Sequence, residues 1–198
     1  MVLWPTCVPV WADLLPGLRV AAVGPGVWLA VWDPEPAAQA QRAWSTLLDA
    51  SLRARAERIG TPRGRVRFTA SHAAMTALTG GDPAGVVTSL AHTRWCAAVG
   101  VSRDRIGVDL EADAPRPLWP VAARTAWGVP GPPTWPDFLE AWVRREAALK
   151  AGGGSDAATA RVSRVTLGDV APEHLLAVVG GLGTGGDQRP GRRHTSTM

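Results

Sequence analysis

Two carboxylates, Asp109 and Glu111, stand two positions apart in the run Ile106-Gly107-Val108-Asp109-Leu110-Glu111. Side chains of a strand alternate faces, so Ile106, Val108 and Leu110 would point one way and Gly107, Asp109 and Glu111 the other. Like charges on one strand face repel unless water or a cation lies between them. An all-oxygen pair suits Mg²⁺, which takes few carboxylates and completes its octahedron with water and phosphate oxygens. Alone, the same pattern equally describes an amphipathic strand with a wet face. A third carboxylate, Glu146, lies on the helical run from Phe138 to Lys150. At about 100° per residue, Phe138, Leu139, Trp142, Val143 and Leu149 form an apolar stripe with Glu146 near its middle, and Glu140 and Arg144 fall on the opposite side. A carboxylate so placed needs a compensating charge, either a metal ion or Lys150 one turn later at i+4. Lys150 is the single lysine among 21 basic side chains. A position that keeps a compact ammonium against so strong an arginine bias suits neutralisation of a point charge such as a phosphate oxygen.

These side chains need a strand and a helix to position them, and the surrounding pattern supplies both. Val27 to Trp32 reads as a strand, residues 37 to 58 as one helix with Leu47, Leu48 and Leu52 at helical spacing, and about Arg67 to Leu78 as a second helix after the Thr61-Pro62-Arg63-Gly64 break. Val86 to Leu90 and Trp95 to Ser102 read as paired strands joined by Ala91-His92-Thr93-Arg94. The carboxylate strand follows, then a proline-rich connection, then a helix from about Thr134 to Ala151 stopped by Gly152-Gly153-Gly154. Val162 to Leu167 and Leu175 to Val179 would supply closing strands. The expected architecture is α+β in two halves, 1–102 and 103–180, with 181–198 a disordered tail poor in apolar side chains.

The segment 106–111, followed by Phe138-Leu139-Glu140-Ala141-Trp142-Val143-Arg144-Arg145-Glu146-Ala147-Ala148-Leu149-Lys150, resembles the paired signature of 4'-phosphopantetheinyl transferases of the surfactin-synthetase-activating type: an aspartate strand, then a Trp-x-x-Lys-Glu-Ala-x-x-Lys helix. Ser89-Leu90-Ala91-His92-Thr93 resembles that family's Ser-His loop, and Arg65-Val66-Arg67-Phe68 its arginine-rich helix entry. The resemblance spans about residues 50 to 152 and implies two similar α/β halves in pseudo-twofold arrangement with the active site at their interface. It also implies transfer of 4'-phosphopantetheine from coenzyme A to a serine of an acyl or peptidyl carrier protein. Asp109, Glu111 and Glu146 would hold Mg²⁺ against the coenzyme A pyrophosphate. Lys150 and His92 would act in catalysis and, with Arg63, Arg67 and Arg145, bind coenzyme A on the nucleotide side formed by the first half. Glu146, or a water on the metal, would take the serine proton. The chain departs from the pattern at Arg145, a lysine in the family, at His72, where an arginine toward the 3'-phosphate of coenzyme A is usual, and in a short, proline-rich link between strand and helix.

Composition narrows the classes without choosing among them. A hydrophobic fraction of 46% and a charged fraction of 19% are ordinary for a globular chain of 198 residues. Asp13, Arg19 and several prolines interrupt the apolar N-terminal segment, so neither a signal peptide nor a membrane span is expected. Two cysteines, Cys7 and Cys96, are too few for a disulfide framework, and a reducing cytoplasm is the simplest compartment. A net charge of +4 favours an acidic or phosphorylated partner. The arginines are scattered rather than gathered with aromatics into a stripe, so no nucleic-acid partner is expected. The competing expectation is a catalytically silent relative that binds coenzyme A or a carrier protein.

Overall fold

Pairs of short apolar runs broken by glycine fold back on themselves and build the first sheet. β1 (Ala12–Leu15), β2 (Leu18–Gly24) and β3 (Val27–Trp32) form successive antiparallel pairs. β3 then pairs with β5 (Cys96–Ser102), and β5 with β4 (Val87–His92), giving the order β1-β2-β3-β5-β4. β6 (Ile106–Ala112), β8 (His174–Gly180) and β7 (Arg161–Val165) make a second, three-stranded antiparallel sheet with β8 in the centre. Among the described residues, five helices complete an α+β fold: α1 (Ala37–Ser45), α2 (Ala50–Glu57), α3 (Pro62–Leu78), α4 (Trp119–Trp127) and α5 (Trp135–Lys150). This computed structural model describes residues 12–32, 37–80, 85–115, 117–127, 134–153, 158–167 and 173–180; the N-terminal segment with Cys7 and the tail 181–198 lie outside them.

The sheets stack face to face, with helices outside. Trp44 of α1, Leu48 of the turn that follows it and Phe68 of α3 pack on Leu18, Trp32 and Val99 of the larger sheet. Its other face carries Val27, Leu29 and Val31, which meet Ile106, Val108 and Leu110 of β6 and Leu176 and Val178 of β8. On the far side of the smaller sheet, Leu139, Val143, Ala147 and Ala148 of α5 cover Val162, Leu175 and Ala177. β6 is therefore apolar toward the larger sheet and turns Gly107 and Asp109 toward α5, the alternation the sequence predicts. Among the described residues, no helix is long and apolar enough to cross a membrane.

Several elements differ from the sequence reading. Ala91 and His92, expected in a loop, complete β4 by pairing with Ala98 and Ala97 of β5. The single helix expected over 37–58 is two, because Asp49 breaks it by accepting a hydrogen bond from the Leu52 N–H and capping α2. The second helix begins at Pro62 rather than near Arg67: Thr61 caps it, and proline suits the first turn, where its missing N–H is not needed. The proline-rich connection contains α4, with Pro120 again in the first helical turn.

Candidate active site

The site begins with a close approach. A Cβ on Gly107 would overlap the carbonyl oxygen of Ala147 and lie 2.6 Å from the Ala151 nitrogen, so only glycine lets the α5 backbone rest directly on β6. Small residues on the helix, Ala147 and Ala151, meet it. This contact brings the last turn of α5 over Asp109. The Lys150 ammonium donates to Asp109 Oδ1 at 2.7 Å and to the Val108 carbonyl at 3.2 Å. Asp109 is 6% exposed, and its Oδ2 is buried without a hydrogen-bond partner. Burial pushes this carboxyl above the usual aspartate range; the Lys150 ammonium opposes that, and the nearby charge of Glu146 adds to it. From the other side, the buried Ser89 hydroxyl accepts the Val108 N–H at 3.0 Å, tying β4 to the strand one residue before Asp109.

Glu146 sits differently from its place in the helical projection. The buried face of α5 is Phe138, Leu139, Val143, Ala147 and Ala148, whereas Leu149 is 47% exposed. The projection overweighted large side chains; the alanine row against Gly107 turns the helix so that Glu146 borders the buried face, half-buried, and accepts from Arg145 Nη1 at 3.2 Å. The i+4 partnership with Lys150 does not form, because Lys150 reaches across to β6. Arg144 and Glu140, expected on the solvent side, are half-buried and paired with each other, and the Arg144 guanidinium also donates to the Ala160 carbonyl. Glu111 faces a cleft of about 240 Å³ walled by Trp119, Trp135, Phe138 and Trp142. Trp135 Nε1 donates to Asp113 at 2.9 Å, and rings of α4 and α5 interlock with centroids 5.4 to 6.1 Å apart.

A basic cluster from the larger sheet and its helices faces this carboxylate group. His92, the last residue of β4, feels the charges of Arg67 on α3 and Lys150 on α5; desolvation, then those cations, hold its imidazole below its ordinary value. Behind it, the His72 ring packs on Phe68 with centroids 4.2 Å apart, and the Arg55 guanidinium lies over the same Phe68 ring at 5.4 Å. Burial first, then the charge of Arg55, brings His72 down to about 4. Of the residues singled out by sequence, Asp109, Glu146, Lys150, His92 and Arg67 are thus brought together. Arg145 lies on the outer flank of Glu146, beside Leu118 and Val121. Arg63 is exposed on the first turn of α3, with no hydrogen bond or ion pair among the described residues. Sequence reasoning placed Gly107 on the Asp109 face without a role and read Arg55 only as one of the arginines from Arg53 to Arg67; a glycine opposite an Ala-rich helix face was the available signal for the first. Compared with known families, characterised proteins and solved structures, the chain matches none.

Whether these residues suit a divalent cation turns on Asp109. Its unpartnered oxygen and the neighbouring Glu146 are hard, oxygen-only donors, with Glu111 two residues along the same strand face. Among the described residues, no three His, Cys, Asp or Glu side chains gather closely enough to enclose a metal ion. The set suits an ion that draws most of its coordination from water and substrate, which is how Mg²⁺ is usually held.

Proposed function

We propose that the protein is a magnesium-dependent phosphopantetheinyl transferase acting on an acyl or peptidyl carrier protein, with coenzyme A as co-substrate, in the cytoplasm. The observation that carries this reading is the pairing of opposites across the layers. A buried Asp109, half-compensated by the protein's sole lysine, lies across from Arg67 and Arg55, which form no ion pair among the described residues. A ligand bearing phosphates on one side and a cation on the other would satisfy both. The two sheet-and-helix layers are read as the pseudo-twofold halves of that family, 1–102 and 103–180, because the cluster draws Arg67 and His92 from one and Asp109, Glu146 and Lys150 from the other.

The chemistry is displacement at phosphorus. The carrier serine oxygen forms a bond to the pantetheine-side phosphorus of the coenzyme A pyrophosphate. The bond from that phosphorus to the bridging oxygen breaks, and adenosine 3',5'-bisphosphate leaves with the charge. Glu146 accepts the serine proton; it is half-buried and has solvent access through which to lose it. Lys150, anchored by Asp109 and the Val108 carbonyl, presents its remaining donor to a phosphate oxygen, and His92 and Arg67 orient the diphosphate. Magnesium held by Asp109 and Glu146, with Glu111 alongside, would supply neutralisation of the pyrophosphate charge. The carrier would dock on α4 and α5, where Leu118 is 73% and Val121 59% exposed beside Arg145. An apolar surface with a basic rim suits an acidic amphipathic helix. Coenzyme A with Mg²⁺ is expected to raise Tm, whereas duplex DNA is not. A Tm unmoved by coenzyme A would overturn the reading, and a raised Tm without transfer would leave the silent coenzyme A-binding relative.

A further inference from the structure

We infer that His174 is a positioning residue of the candidate site: through the Thr93 hydroxyl it ties the turn after β4 to β8, and so sets where His92 stands relative to Asp109 and Lys150. The inference rests on the proposed function only in taking His92 as a group that meets the ligand. The tie itself stands on geometry.

The two rows of β4 side chains have different tasks. Side chains alternate along a strand, and the Thr93 N–H, donating to the Cys96 carbonyl at 2.8 Å, carries the β4–β5 ladder one residue past His92. One row faces the smaller sheet. Ser89 accepts the Val108 N–H at 3.0 Å, Ala91 packs among side chains of β6 and β8, and the Thr93 hydroxyl meets His174 Nε2 at 3.1 Å. The other row faces the helices: Leu90 packs on the core beneath them, and His92 acts on His72 of α3. Two hydrogen bonds therefore bracket His92, and both end on the sheet that carries Asp109. Val108 stands one residue before Asp109, and His174 lies opposite Ala112, three residues after it, in the β6–β8 register. Ser89 to Thr93 and Val108 to Ala112 are equal steps along the two strands.

Packing alone does not ask for an imidazole at this place. His174 is 2% exposed, and Cys96, whose Sγ lies 3.5 Å from the same Nε2, belongs to the apolar core between the sheets. A leucine would suit such surroundings without the cost of burying a polar ring, a cost that only hydrogen bonds offset. Here the bond goes to the immediate neighbour of His92. The Thr93 hydroxyl also contacts the Cys96 thiol at 3.0 Å, so both ends of the turn are fastened to one imidazole. A side chain placed in this way acts on geometry, and a misplacement of about 1 Å is enough to slow a reaction severely. Support of this kind, from groups behind those that meet the ligand, is what keeps a site pre-organised.

Histidine-selective NMR of the full chain tests the tie without any ligand, with the His92 ring signal assigned by its loss in His92→Ala. His174→Gln and His174→Leu both lack the ring, but glutamine can still meet the Thr93 hydroxyl and leucine cannot. The His92 signal of His174→Leu should be displaced or broadened relative to that of His174→Gln. Thr93→Val should show the same change relative to Thr93→Ser. Identical His92 signals within either pair overturn the inference and leave His174 a packing residue, whatever happens to Tm; should His174→Leu not fold, the Thr93 pair decides. In carrier modification, His174→Leu should lower kcat at least about tenfold against His174→Gln, with KM for coenzyme A within about threefold. The same substitution made in His92→Ala should cost less than about twofold more. Equal kcat in the two His174 variants, or an undiminished loss in His92→Ala, overturns the inference and leaves the transferase reading untouched. If the wild type modifies no carrier and binds no coenzyme A, the transferase reading falls, and the two NMR comparisons still decide the role of His174.

Discussion

The two sides of the site handle charge in opposite ways. On the β6–α5 side a buried carboxylate is answered by a lysine at 2.7 Å, and its helix is locked onto the strand by glycine against alanine. On the α2–α3–β4 side Arg55 and Arg67 form no ion pair among the described residues, Asp49 is the one carboxylate acting on His72, and both histidines are held below their ordinary values. The first arrangement is complete enough to be stable without ligand yet keeps one oxygen of Asp109 unspent. The second has only Asp49, already engaged with the Leu52 N–H and the Ser51 hydroxyl, to offset its cations. On the proposed function, the self-compensated side would position the reacting groups and the other side would select the substrate.

The largest effect should come from emptying the compensated side. Asp109→Ala removes the anchor of Lys150 and the unspent oxygen together. It is expected to lower carrier modification by at least about 10³-fold, roughly 4 kcal/mol of transition-state stabilisation, while far-UV circular dichroism stays native. Activity within tenfold of wild type would show that this side does not hold the reacting groups. Next in size is Lys150→Arg, which keeps charge but replaces a compact ammonium seated on two acceptors by a planar fork. A loss of at least about tenfold, near 1.4 kcal/mol, is expected in modification rate.

Glu146→Gln separates function from stability. In the structure Glu146 raises the Asp109 carboxyl and pairs only with the partly exposed Arg145, so its charge adds little to the apo fold. The variant should lose turnover while its Tm without ligand stays equal or rises slightly. A lower Tm with normal turnover would make Glu146 a structural residue.

The smallest effect sharpens the uncompensated side. His72 has a folded value of about 4 against 6.5 unfolded, so as pH falls the unfolded chain takes up its proton first. Stability contributed by neutral His72 is present above about pH 6.5 and is lost progressively down to about pH 4. His72→Asn should flatten part of that loss in urea titrations across this window, and His92, also depressed, accounts for a remainder. An identical acid profile for wild type and variant would mean that His72 is not held neutral by its surroundings.

How much of this could be read from the chain depended on the range of the interaction. The alternation of Ile106 to Glu111 and the strand of Val27 to Trp32 are local patterns, and the structure repeats them. Helix starts at Asp49 and Thr61 also carry local signals, but reading through prolines and alanines as interruptions and filler hid them. The α5 wheel failed because its orientation is set by Gly107, some forty residues away, and no helical period contains that contact. The Lys150–Asp109 pair and the Arg55–Phe68–His72 stack are likewise tertiary: each residue was visible, and the partner was not. The sole lysine drew attention to position 150, and the structure pairs it with Asp109, a partner no helical spacing names.

The most direct test of the central claim is mass spectrometry of a panel of apo acyl and peptidyl carrier proteins after incubation with the protein, coenzyme A and Mg²⁺. At least one carrier should gain the mass of a single phosphopantetheine on its serine, with an equal amount of adenosine 3',5'-bisphosphate released and no gain with Asp109→Ala. Coenzyme A that raises Tm while every carrier keeps its mass would contradict transfer and leave a protein that binds the ligand without using it.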